Sequence, residues 1–202
     1  MKSDFLLASR SPRRRELLDL IGASYGVIEV NVDETPLPGV TPEDYVRATA
    51  LAKARAGWAT GWRDNLPVLG ADTAVILGGE IMGKPRDEAH ARRMLKRLSG
   101  RWHEVLTGFA VVQHEREITD LTRTRVLMAS LSETEIAAYW ASGEPSDKAG
   151  AYAIQGRGSA FVREIRGSYT GVVGLPLHET LRALARFGVS VPGLSISAAQ
   201  ST

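Results

Sequence analysis

Val68-Leu69-Gly70-Ala71-Asp72-Thr73-Ala74-Val75-Ile76-Leu77-Gly78-Gly79 decides the fold class. It reads as an apolar strand interrupted at Gly70-Ala71-Asp72, and it ends in a Gly-Gly pair of the kind that turns a hairpin. A tight hairpin requires antiparallel pairing. Upstream, residues 4–9 read as a short buried strand. Ser11-Pro12 then opens a helix, with Ser11 at the N-cap and Pro12 at the first helical position. Leu17, Leu18 and Ile21 form its apolar face and Gly22 stops it. Residues 25–30 read as a second strand and 31–40 as a loop with two prolines. Thr41-Pro42-Glu43-Asp44 caps a helix running to about Gly57.

Downstream, 87–98 is an amphipathic helix closed by Ser99-Gly100. Residues 105–113 and 118–131 read as paired strands about a charged turn at 114–117. A capping box, Ser132-x-x-Glu135, starts a helix over 132–142. A strand at 161–165 and a last helix at 175–187, ended by Gly188, complete the pattern. Interspersed strands and helices with two hairpins predict an α/β fold around a mixed sheet.

Composition narrows the function. The 202 residues hold 25 Lys plus Arg, 23 Asp plus Glu and no cysteine, for a net charge of +2. Disulfide scaffolds, Zn-thiolate sites, Fe–S clusters and cysteine nucleophiles are excluded. Hydrophobic residues at 44% and charged residues at 24% suit a globular protein. The N-terminal apolar run is too short for a signal peptide, and no window approaches roughly 18 apolar residues. A cytoplasmic protein without membrane partners is expected. The small net charge argues against nucleic acid as a partner. Residues 195–202 are expected to form a disordered tail. Lysine is scarce, at 5 against 20 arginines. That excess fits either phosphate binding or codon usage.

Four clusters can carry chemistry. Ser9-Arg10-Ser11-Pro12-Arg13-Arg14-Arg15 lies where a strand enters a helix. Cations are disfavoured at a helix N-terminus unless an anion compensates, so hydroxyls and guanidiniums there suggest a phosphate site. Asp33-Glu34-Thr35 places two carboxylates in a loop, suited either to a hard divalent cation or to solvent. Asp72 interrupts an apolar strand, a costly position unless it is paired, metal-bound or functional, although a strand-end turn would also explain it. Lys84, in Gly83-Lys84-Pro85, could reach the same place or could be a surface lysine; the spacing is not that of a P-loop. Residues 147–156, Asp-Lys-Ala-Gly-Ala-Tyr-Ala-Ile-Gln-Gly, are small enough for close backbone approach to a ligand, and Gln155 can both donate to and accept from a base edge. A plain glycine-rich connector would look the same. The four histidines (His90, His103, His114 and His178) share no spacing and read as structural or exposed. No G-x-S-x-G elbow is present.

These blocks resemble the Maf proteins. The similarity begins at Leu7-Ala8-Ser9-x-Ser11-Pro12-Arg13-Arg14-x-Glu16-Leu17-Leu18 and continues through Asp33-Glu34-Thr35, Ala52-Lys53-Ala54, Ala71-Asp72-Thr73, Gly83-Lys84-Pro85 and Leu98-Ser99-Gly100. It ends with Glu144-Pro145-x-Asp147-Lys148-Ala149-Gly150, Ile154-Gln155-Gly156 and Val173-Gly174-Leu175-Pro176-Leu177. The resemblance implies an inosine-triphosphatase-like fold: an elongated mixed sheet with flanking helices and a central cleft. It implies one domain over 1–194, in two lobes around that cleft.

It further implies a nucleoside triphosphate pyrophosphatase that releases the monophosphate and pyrophosphate with Mg²⁺ or Mn²⁺. Ala71-Asp72-Thr73 and Tyr152-Ala153-Ile154-Gln155-Gly156 resemble the branch that prefers dTTP and UTP; modified pyrimidine triphosphates are further candidate substrates. The sister branch, selective for 7-methyl-GTP, has Ser-Asp-Gln and a Glu in place of Gln155. Ala153 and Arg10 depart from the branch pattern. By resemblance Asp72 is the general base and, with Glu34, a metal ligand. Ser9, Arg14, Lys53 and Lys84 grip phosphates, while Arg13, Thr73 and Gln155 sense the base. A homodimer is implied too. The alternative is a nucleotide-binding regulator of septum formation and cell division without significant catalysis.

Overall fold

A computed structural model describes residues 3–36, 38–61 and 65–194. The tail expected at 195–202 lies outside the described residues. In chain order the elements are β1 (Phe5–Ala8), α1 (Pro12–Leu20), β2 (Tyr25–Ile28), α2 (Pro42–Trp58), β3 (Val68–Leu77), β4 (Glu80–Met82) and α3 (Glu88–Leu98). There follow β5 (Trp102–Gln113), β6 (Arg116–Met128), α4 (Glu133–Ala141), β7 (Val162–Arg166), α5 (Tyr169–Val173) and α6 (Leu177–Ala185). Three 3-10 turns, Glu144–Asp147, Ala149–Ala151 and Arg157–Phe161, link α4 to β7.

The sheet runs β2-β1-β3-β5-β6-β7, with β4 paired to β3. It is mixed, as expected. β1 lies parallel to both β2 and β3, while β4 and β7 run antiparallel to β3 and β6. Parallel strands flanked on both sides need continuous apolar sequence, and Phe5, Leu6, Leu7 and Ala8 are all buried. Gly78 and Gly79 both take positive φ, +61° and +82°, the geometry of a type I′ hairpin turn. His114 and Glu115 alone join β5 to β6, a connection so short that these neighbouring strands must be antiparallel.

The expected interruption at Gly70-Ala71-Asp72 is absent, because β3 is continuous from Val68 to Leu77. Gly70 has a different purpose. A Cβ at this position would sit 2.3 Å from the Ala50 carbonyl oxygen and 2.6 Å from the Ala54 nitrogen, so only glycine lets α2 press its backbone onto the strand. Ala50 and Ala54 are fully buried there, packed with Ala110 and Val112. Asp72, two residues along the strand, points to the same face as Gly70. Lys53 lies beside Ala54 on the helix. The close approach of helix to strand therefore presets a contact between Lys53 and Asp72.

Two compact units emerge from the chain. The first gathers the described residues of Met1–Asp72, Thr107–Leu121 and Gly174–Thr202; the second gathers Thr73–Leu106 and Thr122–Val173. Leu6, Ala8, Ile28 and Val68 form one core of the first, with Val30, Trp58 and Leu66 against it. In the second, α3 buries Ala91, Met94, Leu95 and Leu98, the spacing of one helical face. The capping box is formed: Ser132 Oγ accepts from the Glu135 N–H, and Glu135 Oε2 accepts from the Ser132 N–H. Ser11 does occupy the N-cap of α1, but its side chain makes no capping bond. Its N–H donates to Ser9 Oγ instead, at 3.1 Å.

Candidate active site

In the first unit, Lys53 Nζ lies 2.8 Å from Asp72 Oδ1 and 2.8 Å from Glu34 Oε1. Lys53 is 8% exposed and Asp72 6%. Buried charges at this depth persist only when paired and hydrogen-bonded, and removing one partner strands the other. Glu34 reaches in from the loop before α2 and keeps half of its side chain in solvent. The Tyr45 hydroxyl holds this loop by donating to the Glu34 carbonyl oxygen at 2.9 Å. Burial, with the charges of Asp72 and Glu34, pushes the Tyr45 phenol up to about 12. It stays a donor at neutral pH.

The adjacent carboxylates of the loop do not act as a pair. Asp33 Oδ1 accepts from the Thr35 N–H at 2.9 Å, and hydrogen bonds from Thr35 lower its pKa. Asp33 shapes the turn, and only Glu34 reaches Lys53.

Ser9 and Arg14 form the neighbouring cluster. Ser9 ends the buried run that starts with β1, and its Oγ accepts from the Ser11 N–H and from Arg14 Nη1, each at 3.1 Å. Arg14 Nε donates to the Gly174 carbonyl oxygen at 2.8 Å. The buried guanidinium has its pKa lowered by desolvation and also by Arg13, while Asp72 and Glu34 oppose that shift. Its charge thus faces both carboxylates. Arg13 is half-buried and Arg10 exposed.

The remaining expected residues belong to the second unit. Thr73 follows Asp72 on β3, so its side chain takes the opposite face. Lys84 is exposed just after β4. The Gly150 N–H donates to the Gly83 carbonyl at 3.1 Å, tying the lysine's segment to the 149–151 turn. Gln155 is exposed directly after the buried run 151–154. The structure therefore brings Ser9, Arg14, Glu34, Lys53 and Asp72 into one charged constellation and carries Thr73, Lys84 and Gln155 on separate segments of the other unit.

Around the segment of Gln155 lie Tyr139, absent from the sequence reading, Glu144, present there only within a block of resemblance, and His103, read there as structural or exposed. His103 is buried, with Nε2 2.8 Å from the Tyr152 hydroxyl, and burial lowers its pKa to about 4. The Tyr139 hydroxyl donates to Glu144 Oε1 at 2.6 Å. Small residues at 153 and 156 are a trace of these contacts in the sequence.

Among the described residues, no group of three or more His, Asp or Glu side chains is placed to hold a metal ion. Two hard oxygens do converge, Glu34 Oε1 and Asp72 Oδ1, on a site where a lysine ammonium lies between them. Carboxylate oxygens are the hard donors a divalent cation takes, and the cation between them here is the Lys53 ammonium. Also among the described residues, no helix is long and apolar enough to cross a membrane.

A family model described as Maf-like protein matches residues 4–187. A protein of Methylococcus capsulatus named dTTP/UTP pyrophosphatase is 50% identical over 194 residues, covering 96% of each chain. One of the same name from Geotalea uraniireducens is 54% identical over 189 residues, covering 93% of this chain and 96% of its own. Among solved structures, the Staphylococcus aureus Ham1 protein is similar with a TM-score of 0.43 and 18% identity, over 62% of this chain and 71% of that one.

Proposed function

This chain belongs to the Maf-like protein family, and we propose on that premise that it is a dTTP/UTP pyrophosphatase of the cytoplasm. It hydrolyses the bond between the α- and β-phosphates, giving the nucleoside monophosphate and pyrophosphate. The observation that carries the chemistry is the convergence of Asp72 and Glu34 on Lys53 beside a buried arginine. A protein that only bound nucleotides would have no use for a buried, cation-held carboxylate next to its phosphate cluster.

Asp72 acts as general base. Lys53 holds Oδ1, which leaves Oδ2 to take the proton of a water aimed at the α-phosphorus. Ser9 already accepts two hydrogen bonds, so its own hydroxyl proton is the part it offers to a phosphate oxygen. Arg14, Lys53 and Lys84 offset the charge that develops on the leaving pyrophosphate. A hard divalent cation held by Glu34 and Asp72 supplies charge neutralisation and a more acidic water when bound. Arg13, Thr73 and Gln155 read the base; the Gln155 amide can serve both the donor and the acceptors of the imide edge shared by uracil and thymine.

A panel of canonical and modified nucleoside triphosphates, assayed with Mg²⁺ or Mn²⁺ and with product identification, tests this reading. Pyrophosphate plus monophosphate, fastest from dTTP and UTP, is the expected result. Orthophosphate plus diphosphate, or binding without turnover, would overturn it.

A further inference from the structure

We propose that Glu144 and Tyr139 are positioning residues that set base selectivity by fixing the backbone on both sides of Gln155. The proposal rests on the assignment of Gln155 as a base reader.

Three backbone N–H groups flanking Gln155 end on these two side chains. Before it, the Ala153 N–H donates to the Tyr139 hydroxyl oxygen at 3.0 Å. After it, the Arg157 N–H donates to Glu144 Oε2 at 2.8 Å and the Gly158 N–H donates to Glu144 Oε1 at 3.0 Å. The Tyr139 hydroxyl closes the circuit by donating to Glu144 Oε1. The polarity of the chain is fixed: amide to phenol to carboxylate, ending on an anion that strengthens each bond before it. Burial pushes the Glu144 carboxyl up, but the bonds from Tyr139, Gly158 and Arg157, with Lys148 nearby, outweigh it and bring the carboxyl below its usual range. Burial and the Glu144 bond raise the Tyr139 phenol, so it remains the donor.

Further contacts brace the hub. Tyr139 projects from α4 and packs edge-on against Phe161, with ring centroids 5.1 Å apart. One residue before Ala153, Tyr152 is held by His103. The glycines of this segment serve the same contacts. A Cβ at Gly156 would lie 2.3 Å from Glu144 Oε2, and one at Gly158 would lie 2.6 Å from the Tyr139 hydroxyl oxygen. The close backbone approach that small residues permit here is thus to Glu144 and Tyr139.

Gln155 is exposed, so its own packing does little to hold it. Its amide is aimed by the backbone that carries it. Misplacement by about 1 Å of a group that must meet a substrate can cost roughly 10²-fold. Loosening the clamp should therefore erode discrimination between bases more than it erodes chemistry at the phosphates.

The test compares kcat/KM for dTTP and for GTP, by pyrophosphate release, in the wild type, Tyr139→Phe, Glu144→Gln, Gln155→Ala and the Tyr139→Phe/Gln155→Ala pair. Tyr139→Phe and Glu144→Gln are expected to lower the dTTP-to-GTP ratio about 10-fold, through KM for dTTP, with kcat largely kept. In the double variant, Tyr139→Phe should add nothing to the loss from Gln155→Ala, since residues acting through one contact are not additive. Should Gln155→Ala leave the ratio intact, the base-reader assignment fails and the proposal falls with it. A ratio that collapses in Gln155→Ala but survives both clamp variants overturns the clamp alone, as does an equal loss for every nucleotide. Amide hydrogen exchange over 153–158 gives a reading independent of turnover: faster exchange in Tyr139→Phe supports the clamp, and unchanged exchange refutes it.

Discussion

In the first unit, a lysine and an aspartate meet at 2.8 Å with less than a tenth of either exposed, and a buried arginine stands nearby. In the second, a half-exposed carboxylate collects two backbone N–H groups and a phenol, and the glutamine it flanks makes no use of charge. The first arrangement fixes side chains to one another. The second fixes a stretch of main chain and lets one neutral side chain stand out from it. Phosphate chemistry needs concentrated charge held away from water. Telling one base from another needs a donor and an acceptor at the right place, with no surplus charge to attract every nucleotide alike.

Substitutions can break this contrast, and the largest effect is expected at Asp72. Asp72→Asn keeps an oxygen to accept from Lys53, which also retains Glu34, so it should fold and lose about 10²–10⁴-fold in kcat for dTTP, the usual size of a general-base contribution. Near-full turnover would remove Asp72 from that role. Lys53→Met comes next. It removes the ammonium that Asp72 bonds, and breaking a buried pair of this kind costs about 3–5 kcal/mol. A urea melt should show the loss, while any activity that survives keeps its pyrimidine preference.

Acid should act on the other unit. The folded state holds His103 neutral, at a pKa of about 4 against an unperturbed value near 6.5. Its contribution is complete above about pH 6.5 and is lost as pH falls towards 4, about 3 kcal/mol in all. His103→Gln should flatten the stability profile over that window. A variant curve parallel to that of the wild type would assign the acid sensitivity elsewhere. The smallest effect belongs to Gln155→Glu. It should cost roughly 10-fold in kcat/KM for dTTP and UTP, about one hydrogen bond to a charged group, and leave inhibition by pyrophosphate unchanged. An equal loss for all nucleotides would remove Gln155 from base reading.

The same contrast governs what could be read from sequence. Asp72 stood out because a carboxylate inside an apolar strand is a visible anomaly, and the Ser132 capping box because its spacing is local. Ser9 and Arg14 were marked by a basic first turn where the helix dipole disfavours cations. Gly70 was misread because a glycine within a strand pattern signals a break and a close approach equally well. The clamp left almost no mark. Its acceptors are ordinary Tyr and Glu side chains, its donors are backbone N–H groups, and short 3-10 turns have no periodicity to betray them. The carboxylate and the Gly158 N–H it meets lie 14 residues apart with nothing in their identities to pair them.

One hydrogen bond ties an early part of the chain to a much later one. Arg14 Nε is seated on the Gly174 carbonyl across 160 residues of sequence. At roughly 5–20 residues per second of synthesis, the arginine waits roughly 10–30 s for its acceptor to be made. Until then its guanidinium lacks one of the contacts that hold it in the folded protein. A contact of an early-made segment is therefore completed by one made 160 residues later. A chain cut short before Gly174 would carry Ser9, Arg14, Lys53 and Asp72 but not the carbonyl that accepts from Arg14 Nε.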